Sequence, residues 1–156
     1  MIKKANTEYK NKVKDIFIEK WNTDFMVSKS QIHYINNLES FIFLKENNII
    51  GLLTFYIKND EMEIVSLDSF EENIGIGTLL INEAINFYKQ NSLKRLWLIT
   101  TNDNLKALKF YQKRNFNIAA LHFNAIEKSR QIKPSIPKYG YDNIPILHEI
   151  ELEYCI

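Results

Sequence analysis

The chain has 156 residues, 20 basic and 19 acidic side chains, 46% apolar residues and a single cysteine. This size and balance fit one domain over residues 1–156 with a sizeable core, and the near-zero charge lacks the electropositive character that nucleic-acid or anionic-membrane binding requires. The start, MIKKANTEYKNKVKDIF, has no signal-peptide apolar run, no segment reaches bilayer-spanning length, and Cys155 has no second cysteine, so a cytoplasmic protein without disulfides is expected.

Taken in chain order, MIKKA reads as a short strand, and Val13, Ile16, Phe17 and Trp21 recur at helical spacing, predicting a helix over about 7–21. DFMVSKSQIHYINNL is mixed and polar, a loop or short helix. SFIFLKENNIIGLLTFYI predicts two strands around KENN, with Asn47 and Asn48 suited to the turn. EMEIVSLDSF is a strand with Met62, Ile64, Ser66 and Asp68 on one face and Glu63, Val65, Leu67 and Ser69 on the other. After the glycines, Leu80, Ala84, Phe87 and Tyr88 mark a helix, and RLWLITT is a near-continuous apolar strand of the buried parallel kind. A helix follows from about Asn104 to Arg114, striped by Leu105, Leu108 and Tyr111, with Asn115 suited to a left-handed C-cap before the strand FNIAAL. KPSIPKYGYDNIP is a loop, and ILHEIELEY a last strand, offering an edge on which two copies of the chain would pair.

Two of only four glycines, Gly75 and Gly77, stand at a strand-to-helix turn, where unpartnered N–H groups and the helix dipole favour an anion. The dinucleotide fingerprint fails because Leu80 stands where a third glycine belongs, and the P-loop fails because Thr78 follows Gly77 directly. A plain tight turn into a helix remains open on spacing alone.

A second segment, NLKALKFYQKRNF, completes a pattern. Together with ENIGIGTLLI it resembles the two core motifs of the GNAT superfamily of acyl-CoA-dependent N-acyltransferases, over roughly residues 40–118. Gly75, Gly77, Asn104, Ala107, Phe110, Tyr111 and Phe116 stand at matching positions; Glu72 stands where Arg or Gln is usual, and Asn73 and Asn115 where glycine is common. The resemblance implies an α/β GNAT-like fold: a central, mostly antiparallel mixed sheet with a splayed parallel strand pair, EIVSLDS and RLWLITT, flanked by helices on both faces. It implies acetyl-CoA as cosubstrate, with its pyrophosphate on the backbone of about Ile74, Gly75, Ile76, Gly77 and Thr78, adjoined by Asn73, its pantetheine near Asn104, Ala107 and Tyr111, and its thioester carbonyl near the N–H of Leu67. Lys106, Lys109, Lys113 and Arg114 read as a solvated helix face.

Attack of an amine on a thioester needs a neutral amine, a stabilised oxyanion and a proton for the departing thiolate. Glu63 matches in residue and strand the glutamate that some members of the family use as base; Asp68 and Glu149 are the other candidates. Tyr111 is the expected proton donor, since a phenol of pKa about 10 can protonate a thiolate whose thiol has pKa about 8.5. His33, His122 and His148 lack metal-ligand spacing, so no metal is expected. Asn104 doubles as a candidate N-cap, Cys155 receives no role, and Trp21, Phe25, Tyr34, Tyr139 and Tyr141 either pack or line an acceptor groove. Segments 21–38 and 121–148 are expected to shape that groove.

The reaction so implied is acetyl transfer to a primary amine of a small molecule or peptide within a ternary complex. The alternative is an acyl-CoA-binding or protein-interaction module without turnover.

Overall fold

The computed structural model describes residues 1–72 and 74–156, and Asn73 lies outside the described residues. They form two compact units, Met1–Met26 with His33–Leu96 and Val27–Ile32 with Trp97–Ile156.

The first unit opens with β1 (Ile2–Lys4) and α1 (Lys10–Trp21), three residues shorter at its start than the helical spacing predicts. Val13 and Phe17 are its buried face, and Asn22 ends it in the left-handed conformation with its N–H on the Ile18 carbonyl. The polar stretch that follows is mostly a hairpin, β2 (Phe25–Ser28) and β3 (Gln31–Tyr34), turning at Lys29 and Ser30 with φ of 50° and 62°, and the expected short helix is confined to one 3-10 turn at Ile35–Asn37. Its tip, Val27–Ile32, belongs to the second unit. Lys-Ser is not a typical left-handed pair, which is why the turn carries no local signal.

β4 (Glu39–Lys45) and β5 (Asn48–Lys58) form the expected hairpin, but its turn is Glu46–Asn47, with φ of 50° and 65°, and Asn48 already pairs with Lys45. A two-residue turn of this type needs consecutive positive φ values, and Asn47 supplies the second. β6 (Glu61–Ser69) returns through Asn59 and Asp60, both left-handed, and the strand order in this unit is β1-β4-β5-β6, all neighbours antiparallel.

The register of β5 against β6 slips from Thr54↔Ser66 to Phe55↔Ile64, leaving Val65 as an extra residue. This bulge breaks the simple alternation predicted for the strand. Tyr56 pairs with Glu63, Thr54 with Ser66 and Leu52 with Asp68, so Glu63 joins the face of Ser66 and Asp68 rather than opposing it.

Both faces of this sheet are covered, which explains the apolar runs. On one, Tyr9, Val13 and Phe17 pack with Ile42, Leu44 and Leu52. On the other, Phe41 stacks on Phe55 at 5.0 Å and Phe87 of α2 (Ile76–Gln90) meets Phe41 edge-on at 5.6 Å. Each fully buried side chain of this size contributes about 1.5–3 kcal/mol. Gly51 admits α2: a Cβ there would collide with Ile76 and lie 3.0 Å from Leu80.

The second unit takes most of β7 (Arg95–Thr101), then α3 (Leu105–Gln112), β8 (Phe116–His122), α4 (Ala125–Ile132) and β9 (Glu149–Tyr154), its strands ordered β7-β9-β8 and antiparallel. β9 is therefore not an edge: Leu98 and Ile118 pair with Leu152 from its two sides. The strand added last in sequence is inserted between the other two, so it offers no free edge to a second copy. α4 lies just before the expected loop, in residues to which the sequence reading assigns no element, and Arg130 on it donates to the carbonyls of Ile136, Pro137 and Ile146, gathering the proline-containing loop. Of the predicted α3 stripe Tyr111 is buried, whereas Leu105 is 54% exposed. Asn115 ends the helical region at φ 65°, as expected of an αL cap.

Candidate active site

In the first unit, Gly75 is the N-cap of α2 in the left-handed conformation, φ 72°, and its carbonyl accepts from the Leu79 N–H at 3.0 Å. Nothing lies within 4 Å of a Cβ built there, so the backbone angle rather than crowding demands glycine. Gly75 has no side chain with which to cap the helix and, among the described residues, no acid stands in its first turn, so the dipole at this end favours an anion. Ile74 and Gly75 are exposed, Ile76 is buried, and Gly77 and Thr78 are half-buried; the expectation for Asn73 falls outside the described residues. Leu67, half-buried on β6, pairs with Leu53. Glu72 is exposed, while its neighbour Glu71 is drawn to Lys45 at 3.0 Å.

The face of β6 shared by Glu63, Ser66 and Asp68 is a polar row inside an apolar sheet. At one end the Trp21 indole donates to Asp68 Oδ2 at 3.3 Å. Burial raises the Asp68 pKa above the ordinary carboxylate value, against the lowering pull of Lys20 and of the Trp21 hydrogen bond. In the middle, the Thr54 and Ser66 hydroxyls share a buried 2.6 Å hydrogen bond. At the other end Glu63 Oε1 lies 3.4 Å from His33 Nε2, both side chains almost wholly buried, and His33 meets the Tyr56 ring edge-on at 5.3 Å. Glu63 is thus not a solvent-facing acid.

In the second unit, Asn104 caps α3 through its side-chain oxygen, which accepts from the Ala107 N–H at 3.1 Å. Asn104, Ala107 and Tyr111 fall at helical spacing along one side of α3. The buried Tyr111 ring packs edge-on against Phe110 at 5.1 Å and Phe116 at 5.5 Å. Lys106, Lys109 and Lys113 are exposed, as a solvated face requires, and Arg114 folds back, its Nη1 donating to the Phe110 carbonyl and its guanidinium 3.7 Å from the Phe110 ring.

Sequence reasoning missed the two residues before Asn104. Asn102 donates to the Pro145 carbonyl and accepts from the Leu147 and His148 N–H groups, while the buried Asp103 accepts from Thr101 Oγ1 at 2.5 Å and the Tyr141 N–H at 3.1 Å. Gly140 is needed here because a Cβ would strike the Asp103 carboxylate. The run TTNDN, rich in turn-forming side chains, was the signal for this clamp.

Glu149 and Glu151 are buried on β9. Glu149 Oε2 accepts from the Lys29 N–H at 3.1 Å, and Glu151 Oε1 meets both Lys29 Nζ and His122 Nε2 at 3.0 Å. His148 accepts from the Asn124 N–H and stacks on Phe123. His122 and His148 therefore have structural partners, whereas His33 faces the carboxylate of a candidate base. Among the described residues no group of three or more His, Cys, Asp or Glu is placed to hold a metal, and no helix is long and apolar enough to cross a membrane.

Residues 6–116 match the model of the acetyltransferase (GNAT) family. The chain is 41% identical over 144 residues to the uncharacterized protein YxbD of Bacillus subtilis (strain 168), covering 92% of this chain and 91% of that one. A GNAT family acetyltransferase from Elizabethkingia anophelis, solved with acetyl-CoA bound, superposes with a TM-score of 0.67 at 26% identity over 79% of each chain. The IAA acetyltransferase from Bacillus cereus ATCC 14579 superposes with a TM-score of 0.70 at 19% identity, over 99% of this chain and 97% of that one, and shares the fold.

Proposed function

The chain belongs to the acetyltransferase (GNAT) family, and from that premise we propose that it transfers the acetyl group of acetyl-CoA to a primary amine of a small molecule or peptide, by direct attack in a ternary complex. The observation that carries this reading is the start of α2, where the left-handed Gly75 opens the helix with backbone N–H groups and a dipole that favour an anion, and no acid stands in the first turn among the described residues. Leu67, Asn73, Ile74, Gly75, Ile76, Gly77 and Thr78 are the proposed contacts of the thioester and pyrophosphate, and Asn104, Ala107 and Tyr111 those of the pantetheine. The similar Elizabethkingia anophelis enzyme, solved with acetyl-CoA, supports the choice of ligand.

In the proposed reaction Glu63 removes a proton from the acceptor ammonium, the freed amine attacks the thioester carbon, and the C–S bond breaks as the C–N bond forms. The attacking nitrogen releases its second proton to solvent as the amide forms, and Tyr111 gives its phenolic proton to the thiolate and is reprotonated from solvent, so the one net proton of the reaction is left on Glu63. Burial favours Glu63 over an exposed acid for this work, because a dry carboxylate interacts more strongly with an ammonium. Glu149, whose Oε2 is committed to the Lys29 backbone, is the weaker candidate. The reading treats residues 1–156 as one catalytic domain, since the family model runs through residues of both units, and places it in the cytoplasm, where acetyl-CoA is available.

Calorimetric titration with acetyl-CoA, CoA and ATP tests it. The native chain should bind acetyl-CoA, and a Gly75→Glu, Gly77→Glu variant should lose that binding; a native chain that binds no acetyl-CoA would overturn the assignment.

A further inference from the structure

The buried His33 is the residue of the first unit that the proposed chemistry leaves unexplained. Its side chain is 2% exposed, its Nε2 makes no hydrogen bond, and that same atom lies 3.4 Å from Glu63 Oε1. An imidazole nitrogen buried without a hydrogen bond is unfavourable, and a leucine would fill the space without that penalty. The fold nevertheless brings this ring to the carboxylate from a distant part of the chain. β3 carries His33, the Val65 bulge turns Glu63 onto the face of Ser66 and Asp68, and Tyr56, paired with Glu63 across the strands, meets the edge of the imidazole.

We propose that His33 is a positioning residue for Glu63. With Nε2 protonated, a neutral imidazole donates to Oε1 in the productive complex, leaving the other carboxylate oxygen to take the proton of the acceptor ammonium. At 3.4 Å, Nε2 and Oε1 need an approach of only a few tenths of an ångström, roughly to 3.0 Å, to reach hydrogen-bond distance. Tyr56 limits rotation of the ring, and the nearly dry surroundings keep water from competing for Oε1. The inference rests on the acetyltransfer reading and on Glu63 as base.

The test compares the native chain with His33→Leu and His33→Gln, the second of which restores an N–H donor. Acetyl-CoA binding is measured by calorimetry, thermal midpoints are recorded, and thiol release from acetyl-CoA is followed with Nα-acetyl-lysine amide and glycinamide as amine probes. His33→Leu should bind acetyl-CoA like the native chain and melt no lower, yet lose about tenfold or more in kcat at unchanged KM for acetyl-CoA, part of the ~10²–10⁴ typical of general-base catalysis. His33→Gln should recover most of that loss, and in a Glu63→Gln background His33→Leu should cost nothing further. Should His33→Leu not fold, His33→Phe keeps a ring against Tyr56 without the nitrogen and carries the same expectation. Native kcat in the apolar variants, a loss that Gln does not recover, or a loss that persists without Glu63 would overturn the role of His33 alone. Failure of the native chain to bind acetyl-CoA, or to acetylate either amine, would overturn the acetyltransfer reading and this inference with it.

Discussion

The Trp21 indole N–H, at the end of α1, points at Asp68 on β6 and donates to its Oδ2 at 3.3 Å. Burial is the largest influence on this carboxyl and raises its pKa above the ordinary aspartate value of 3.8. The folded protein therefore keeps the Asp68 proton to higher pH than the unfolded chain, and stability falls as pH rises through the interval above 3.8. Asp68→Asn, whose amide oxygen can still accept from Trp21, should raise stability to urea at neutral pH and leave it unchanged in acid below that interval. Equal effects at both pH values would mean that the charge is not what matters.

Gly75 and Gly51 should fail for different reasons. Gly75→Ala meets no atom but must hold a left-handed angle, a cost of about 1–2 kcal/mol, and Gly75→Asn should recover part of it because Asn tolerates positive φ. Gly51→Ala drives a methyl group into Ile76 and Leu80, an overpacking cost of about 1–3 kcal/mol that also displaces the start of α2. Urea denaturation should show both losses, and calorimetry should show Gly51→Ala weakening acetyl-CoA even though its side chain lies beneath the helix.

Asn104 can be separated into cap and ligand contact. Asn104→Ala should cost about 1 kcal/mol of stability through the lost bond to the Ala107 N–H, whereas Asn104→Asp keeps an accepting oxygen and the cap. If Asn104 also holds the pantetheine arm through its amide N–H, acetyl-CoA affinity falls in both variants. Affinity that falls only with the cap would reduce Asn104 to a structural residue.

Tyr111→Phe removes one hydroxyl from a ring packed against Phe110 and Phe116, so packing should survive. Turnover should fall by about 10² or more, with acetyl-CoA affinity unchanged. Unchanged turnover would remove Tyr111 from the mechanism.

Local features were legible where one or two residues decide the backbone. Asn115 takes the predicted left-handed cap, Asn104 caps α3, and Gly75 opens α2 at positive φ. Legibility failed where the local cue was weak: Lys29 and Ser30 turn a hairpin without Gly or Asn, and α4 lies in residues to which the sequence reading assigns no element.

By itself the sequence determined the order of most elements, the glycine turn into α2, and the pairing of ENIGIGTLLI with NLKALKFYQKRNF that marks the family. These rest on periodicity, capping and motif spacing, which act over a few residues. Only the tertiary structure decided that β9 lies between β7 and β8, that Val65 bulges so that Glu63 shares a face with Asp68, and that His33 and Tyr56 come to Glu63. Strand register and burial depend on partners distant along the chain, and a shift of one residue exchanges the faces of a strand. The candidate base was therefore visible as a letter, while its surroundings required the fold.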